Sequence, residues 1–257
     1  MKELNNLKKR YDNMEIPLFF YLAYEDLDRL SPGSEDTTLE VLDKIDADGN
    51  LNILDIACGV GSSTILLANH FKESTVEAFD LFKHYIDKLD EKISQNNLED
   101  RIFTYVMDMR DPDFANEEFD IVFCEASAEI MGFKKALKEW KRLVKPNGYM
   151  VVSDVSWLQN PSKESRDFWK NTYAEVDTIE NKISQIKKDY EFVGYVVVPK
   201  SDWASYYKKL EGNLNRLASD KSAKDFVKQL RKEIEVYRRN SEDYSYVFYI
   251  MRKLEME

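Results

Sequence analysis

The stretch Ile53-Leu54-Asp55-Ile56-Ala57-Cys58-Gly59-Val60-Gly61-Ser62-Ser63-Thr64 decides how this chain is read. A short apolar run with the character of a buried strand stops at a turn almost without side chains, and a helix opens directly from it. Gly59 and Gly61 remove the Cβ atoms that would keep a ligand away from the backbone. The helix expected over 63–71 aims its N-terminal amides and dipole at that ligand, which favours a carboxylate or a phosphate.

Outward from this turn, apolar runs alternate with helical patterns between about residues 51 and 199, the signature of βαβ units and a mainly parallel sheet. Strands are expected over 52–57, 75–79, 102–107, 120–124, 149–155 and 193–198, with helices over 63–71, 82–96, 133–143 and 178–190. Lys145-Pro146-Asn147-Gly148 reads as a turn, because Pro sets φ and Asn-Gly tolerates positive φ. The aromatic and β-branched run 244–251 reads as a last strand. Two further segments look helical: the first thirty residues, with Ile16, Phe19, Phe20, Leu22, Ala23, Leu27 and Leu30, and 200–243, where Phe226, Leu230, Ile234 and Tyr237 share a face. The expected organisation is one domain over 1–257, with a helical cap segment 1–34, a core 35–199, a helical insertion or lid 200–243 and a closing strand 244–254.

Composition excludes several classes. With 257 residues and 43% hydrophobic content the chain has enough material for a real core and is not a disordered segment. A net charge of −11 argues against binding nucleic-acid backbone, which needs a basic face. Seven basic residues against three acidic ones over 221–239 alternate in sign and read as a solvated helix face. Cys58 and Cys124 form no CxxC pair, so neither a disulfide framework nor a structural zinc site is expected. His70 and His84 lie apart on helices flanking the sheet, and no metal is expected. No run approaches the ~18–20 apolar residues of a membrane span, and the start lacks a signal core, so the expectation is a soluble, cytoplasmic protein.

The turn itself discriminates between ligands. A dinucleotide fold wants G-x-G-x-x-G and a phosphate loop wants G-x-x-x-x-G-K-[ST]; neither spacing is present. What is present is an acidic residue followed by closely spaced small ones, Asp55-x-Ala57-x-Gly59-x-Gly61. In this the chain resembles the class I S-adenosylmethionine-dependent methyltransferases, in register over about 50–157 and more loosely beyond. The resemblance implies a three-layer, Rossmann-like α/β fold: a seven-stranded, mainly parallel sheet with helices on both faces, an antiparallel last strand and a small helical cap. It also implies S-adenosyl-L-methionine as cofactor, wrapped by Asp55, Ala57, Gly59 and Gly61. Ala57 departs from the glycine that many members carry.

Further landmarks follow from the resemblance. Asp80, 19 residues beyond Gly61, closes the second strand, where a carboxylate accepts hydrogen bonds from both ribose hydroxyls; equally, it could cap the helix that starts near Phe82. Leu81 beside it is expected at the cofactor as well. Asp108 would take the adenine amino group and Met109 the ring face. Glu125, after the fourth strand, would orient or deprotonate an acceptor, line the cofactor pocket, or cap the following turn. The Asn/Asp-Pro-Pro-aromatic and Pro-Cys tetrads of nucleic-acid methylating members are replaced by Cys124-Glu125-Ala126-Ser127, so a small-molecule methyl acceptor is expected and no nucleic acid. Gly33 and Ser34 would offer amides to the cofactor carboxylate. Pro32-Gly33-Ser34 and Ser153-Asp154-Val155-Ser156-Trp157 are similar to runs in small bacterial members of unassigned substrate. Acceptor contacts are expected from Tyr11, Tyr21, Tyr24, Trp157 and Trp203, although these rings would equally serve core packing. A nicotinamide-dependent oxidoreductase and a non-catalytic cofactor-binding module are the competing readings.

Overall fold

The computed structural model describes residues 17–254. In chain order it contains α1 (Leu18–Ala23), α2 (Glu35–Leu42), β1 (Asn52–Ile56), α3 (Ser62–His70), β2 (Thr75–Asp80), α4 (Lys83–Gln95), β3 (Ile102–Val106) and β4 (Phe119–Cys124). There follow α5 (Phe133–Trp140), β5 (Val144–Trp157), α6 (Lys163–Thr172), β6 (Asp177–Thr178), α7 (Ile179–Ile186), β7 (Tyr190–Val197), α8 (Lys200–Leu217), α9 (Lys224–Arg239) and β8 (Tyr244–Lys253). The strands form one sheet in the order β3-β2-β1-β4-β5-β8-β7, with the two-residue β6 paired to β5. β1 to β5 run parallel, and β8 lies antiparallel between β5 and β7.

Alternation within the strands supplies both faces of the sheet. Ile53, Ile121, Phe123 and Val151 join one buried cluster with α1, α2, α3, α4, α8 and α9. Leu54, Ile56, Val122, Cys124, Met150 and Val152 join the other, beneath α5 and α7. Strands covered on both sides need apolar residues at consecutive positions, which is why the sequence shows runs there and not a polar–apolar alternation. Strand order reverses at β1, whose neighbours are β2 and β4, and this switch point opens a crevice beyond the strand ends.

Several expectations are revised. Lys145-Pro146-Asn147-Gly148 does turn, with Asn147 at φ 63°, yet it does so inside β5. Phe119 pairs with Val144 and Ile121 with Tyr149, so these four residues bulge out opposite Asp120 alone. The helix expected over 178–190 ends at Ile186, and Tyr190 already belongs to β7. Among the described residues of the N-terminal segment, only Leu18–Ala23 and the helix from Glu35 are helical; Asp26, at φ 57°, breaks the pattern between them.

The insertion 200–243 is a packed layer. Trp203, Tyr207, Leu210, Leu214 and Leu217 of α8 are all buried in the larger cluster. Trp203 stacks on Tyr237 at 4.4 Å and 11° and on Tyr246 at 5.5 Å, and its indole N–H donates to Ser245 Oγ at 2.8 Å. Among the described residues no helix is long and apolar enough to cross a membrane.

Candidate functional site

A cavity of about 520 Å³ opens at the carboxyl ends of β1, β2, β3 and β4, floored by the turn between β1 and α3. The turn is closed by the Gly61 N–H donating to the Cys58 carbonyl at 2.9 Å, and the Cys58 N–H ties it to the Phe79 carbonyl of β2 at 2.9 Å. Ala57, lining the cavity, sits at φ 56°, a region that costs a residue with a Cβ roughly 1–2 kcal/mol. That is the physical content of the glycine often found at this position in the family the sequence resembles. Asp55 is buried under the turn, and its Oδ2 accepts the Thr64 hydroxyl at 2.6 Å, clamping β1 to the first turn of α3. Burial pushes the Asp55 carboxyl up to about 7, against the Thr64 hydrogen bond.

Gly61 serves packing. A Cβ there would stand 2.1 Å from Leu89 Cδ1, so the missing side chain admits α4, and Gly61 does not line the cavity. With φ at 81° as well, Gly61→Ala should destabilise the fold by about 1–3 kcal/mol, read as a lower denaturant midpoint. Adding Leu89→Ala should relieve the steric share of that loss; a single variant with an unchanged midpoint contradicts the assignment.

Asp80 is 8% exposed and faces the cavity from the end of β2. Its Oδ2 accepts the Gly59 N–H at 3.0 Å and its Oδ1 the Phe82 N–H at 2.9 Å. Burial raises its pKa, and these two N–H groups oppose the rise. Both expected roles are therefore compatible: the carboxylate holds the start of α4 and the turn, and an ionised carboxylate still has further acceptor positions. Leu81, 46% exposed, stands at the rim. Asp108 and Met109 also line the cavity, but the Arg110 guanidinium grips Asp108 at 2.9 and 3.0 Å and holds its carboxyl below the usual range. Met109 is half-buried, and its carbonyl accepts the Trp140 indole N–H at 3.0 Å.

Glu125 meets a partner that sequence reasoning missed. Arg29 Nη1 lies 2.8 and 2.7 Å from the two carboxylate oxygens, and both side chains are 11% exposed. The Ser63 hydroxyl donates to Glu125 Oε2, while Arg29 Nη2 donates to Thr38 Oγ1 at 2.9 Å. The available sequence signal was a lone cation just ahead of Pro32-Gly33-Ser34 in an acidic chain. Ser34 itself caps α2 by accepting the Thr37 N–H at 3.2 Å, so its hydroxyl is spent on the helix. Gly33 lies against the charge cluster: a Cβ on it would be 2.8 Å from Glu125 Oε1. Gly33 and Ser34 line an adjoining cleft.

The aromatic wall differs from expectation. Phe20, Tyr24, Phe82 and Tyr85 line the cavity, with ring centroids 5.3 Å apart for Phe20–Tyr24 and 5.8 Å for Phe82–Tyr85. Burial pushes the Tyr24 phenol up, and Glu233 adds to the rise. Tyr21 points elsewhere, edge-on to His84 at 4.8 Å and lining the neighbouring open groove. Trp157 packs edge-on against its cross-strand partner Tyr244 at 6.1 Å, and Trp203 of α8 is buried against the same strand; neither lines the cavity, because packing on β8 claims both rings. Tyr11 lies outside the described residues. The cleft thus combines a nearly buried carboxylate, a turn poor in side chains, an apolar wall and a charged end, a set suited to an adenosine carrying a polar tail.

Residues 53–148 match a family model described as a methyltransferase domain. An uncharacterized protein of Haemophilus influenzae is 31% identical over 147 residues, 54% of this chain and 57% of that protein. Phosphoethanolamine N-methyltransferase 3 of Arabidopsis thaliana is 24% identical over 210 residues, 79% of this chain and 40% of that protein. The chain thus spans about half the length of these curated relatives. A methyltransferase from Geobacter sulfurreducens, solved with S-adenosyl-L-homocysteine, superposes with a TM-score of 0.80 at 15% identity, covering 94% of this chain and 100% of that one; at that identity the likeness is one of fold.

Proposed function

We propose that this chain is a class I S-adenosylmethionine-dependent methyltransferase, whose cleft binds S-adenosyl-L-methionine and passes the methyl group to a small-molecule acceptor; the match of residues 53–148 to a methyltransferase-domain model and the likeness of fold to solved methyltransferases support this reading. The carrying observation is Asp80, a nearly buried carboxylate that shares one backbone clamp with Gly59 and still faces the cavity. In this reading Asp80 takes the ribose hydroxyls, Ala57 and Gly59 let the sulfur end lie on the turn, and Leu81 and Met109 sandwich the adenine. Asp108 reaches the adenine amino group from its clasp with Arg110.

The bound cofactor supplies a methyl group already activated on a sulfonium. What the chain supplies is position and dryness: holding acceptor, methyl and sulfur in line, with Phe20, Tyr24 and Tyr85 excluding water from the acceptor side. A base is needed only where the acceptor must lose a proton, and Glu125 is the carboxylate placed for it. The acidic chain and the limited volume of the cleft, about 520 Å³, favour a small acceptor over a nucleic acid.

Calorimetric titration tests the reading. S-adenosylmethionine and its demethylated product should both bind, and NAD should not. Binding of NAD alone would move the chain to the oxidoreductases, and binding without product formation across a panel of small metabolites would leave a non-catalytic module.

A further inference from the structure

Resting on that reading, we infer that Arg29 receives the carboxylate of the cofactor in exchange for that of Glu125, and that cofactor binding releases Glu125 toward the acceptor. The Glu125 carboxylate lies where an incoming anion is best stabilised: both oxygens meet Arg29 Nη1, and Oε2 takes the hydroxyl of Ser63 in the first turn of α3. Arg29 does not depend on Glu125 for its position, because its Nη2 is anchored separately on Thr38 of α2. The Glu125 carboxylate, by contrast, is held by Arg29 Nη1 and the Ser63 hydroxyl, the same two groups that an incoming carboxylate would engage. Its berth exists because position 33 is a glycine, whose Cβ would otherwise come within 2.8 Å of Glu125 Oε1.

One guanidinium edge cannot hold two carboxylates in the same place. A cofactor lying over the turn between β1 and α3 brings its amino-acid end toward Ser63, and its carboxylate replaces that of Glu125 on Arg29. The displaced side chain turns into a cavity walled by Ser127, Ile130 and Tyr24, where an unpaired carboxylate attracts a cationic or proton-bearing acceptor. Arg29 is then a positioning residue with two consequences. The cofactor must bind before the acceptor, and the acceptor-facing carboxylate is unmasked only in the loaded enzyme.

The test compares S-adenosylhomocysteine with 5′-methylthioadenosine, which keeps the adenosine and the sulfur but has neither carboxylate nor ammonium. In calorimetry, Arg29→Met should weaken S-adenosylhomocysteine at least tenfold and leave 5′-methylthioadenosine unchanged. Glu125→Gln, which removes the competing charge, should tighten S-adenosylhomocysteine several-fold, again with no change for the smaller ligand. Arg29→Lys provides a second variant if Arg29→Met fails to fold, and it should recover part of the lost affinity. Weaker S-adenosylhomocysteine binding by Glu125→Gln would overturn the exchange and make Glu125 a direct cofactor ligand. A ratio between the two ligands unmoved by either variant would overturn it as well. Wild-type protein that binds neither ligand would refute the cofactor reading itself, a distinct result.

Discussion

Asp80→Ala should raise the dissociation constant for S-adenosylmethionine by roughly 5- to 150-fold, the equivalent of about 1–3 kcal/mol for two lost hydrogen bonds to a charged acceptor. The carboxylate is costly to keep buried, as its raised pKa indicates, and the N–H groups of Gly59 and Phe82 offset that cost on the protein side. Ribose hydroxyls would complete its acceptor capacity from the cavity side. Because the same carboxylate steadies the turn, the variant must be compared with Asp80→Asn, which keeps the shape and one acceptor oxygen and should lose less. Unfolding midpoints of the ligand-free variants separate the two contributions. A folded Asp80→Ala protein with unchanged affinity would remove the ribose assignment and leave Asp80 as a cap for α4.

Lys182→Met should cost about 3–5 kcal/mol of stability, among the largest single effects open to a side chain here. The Lys182 ammonium and the Asp154 carboxylate form an ion pair at 1% and 0% exposure. Tyr173 adds its hydroxyl to Asp154 Oδ2 at 3.0 Å, and the ring of Phe133 lies 4.5 Å from the ammonium. Among the described residues Asp154 Oδ1 is buried with no hydrogen-bond partner, so the lysine is the main compensation for this charge. Burial already raises the Asp154 pKa while Lys182 restrains the rise. Without the lysine the carboxyl would titrate higher still in the folded state. The unfolded chain ionises it near pH 4, so native stability should fall as pH rises above that, and the loss in the variant should be smallest in acid. Denaturant midpoints measured between pH 4.5 and 8 would show this slope. Lys182→Met combined with Asp154→Asn should recover part of the loss and flatten the pH dependence, whereas an unchanged midpoint in Lys182→Met contradicts the whole account.

What could be read from the sequence was local. Strands buried on both faces appear as unbroken apolar runs, and the turn at 57–61 announces itself by its small residues, so the sheet and the turn that floors the cleft were legible. The helix Lys163–Thr172 was not foreseen, because its buried face is only Ser165, Phe168 and Trp169, and Ser165 is secured by a hydrogen bond to Asp243 at 2.7 Å. No periodicity encodes such a contact. Arg29 and Glu125 are 96 residues apart and meet only once the segment before α2 folds over α3. The aromatic residues were equally opaque: Tyr24 reaches the cavity while Trp203 does not, a choice made by stacking of α8 on Tyr246 of the sheet and not by residue type.

The placement of β8 has a consequence for how this protein is made. Residues 244–253 lie between β5 and β7 and hydrogen-bond to both, so among the described residues β7 has no neighbour in the sheet until they arrive. A nascent chain can assemble the parallel half, with its small-residue turn, while still on the ribosome. The far side of the sheet must wait, its apolar residues uncovered, until translation has passed Lys253. Help from chaperones would matter most during that interval.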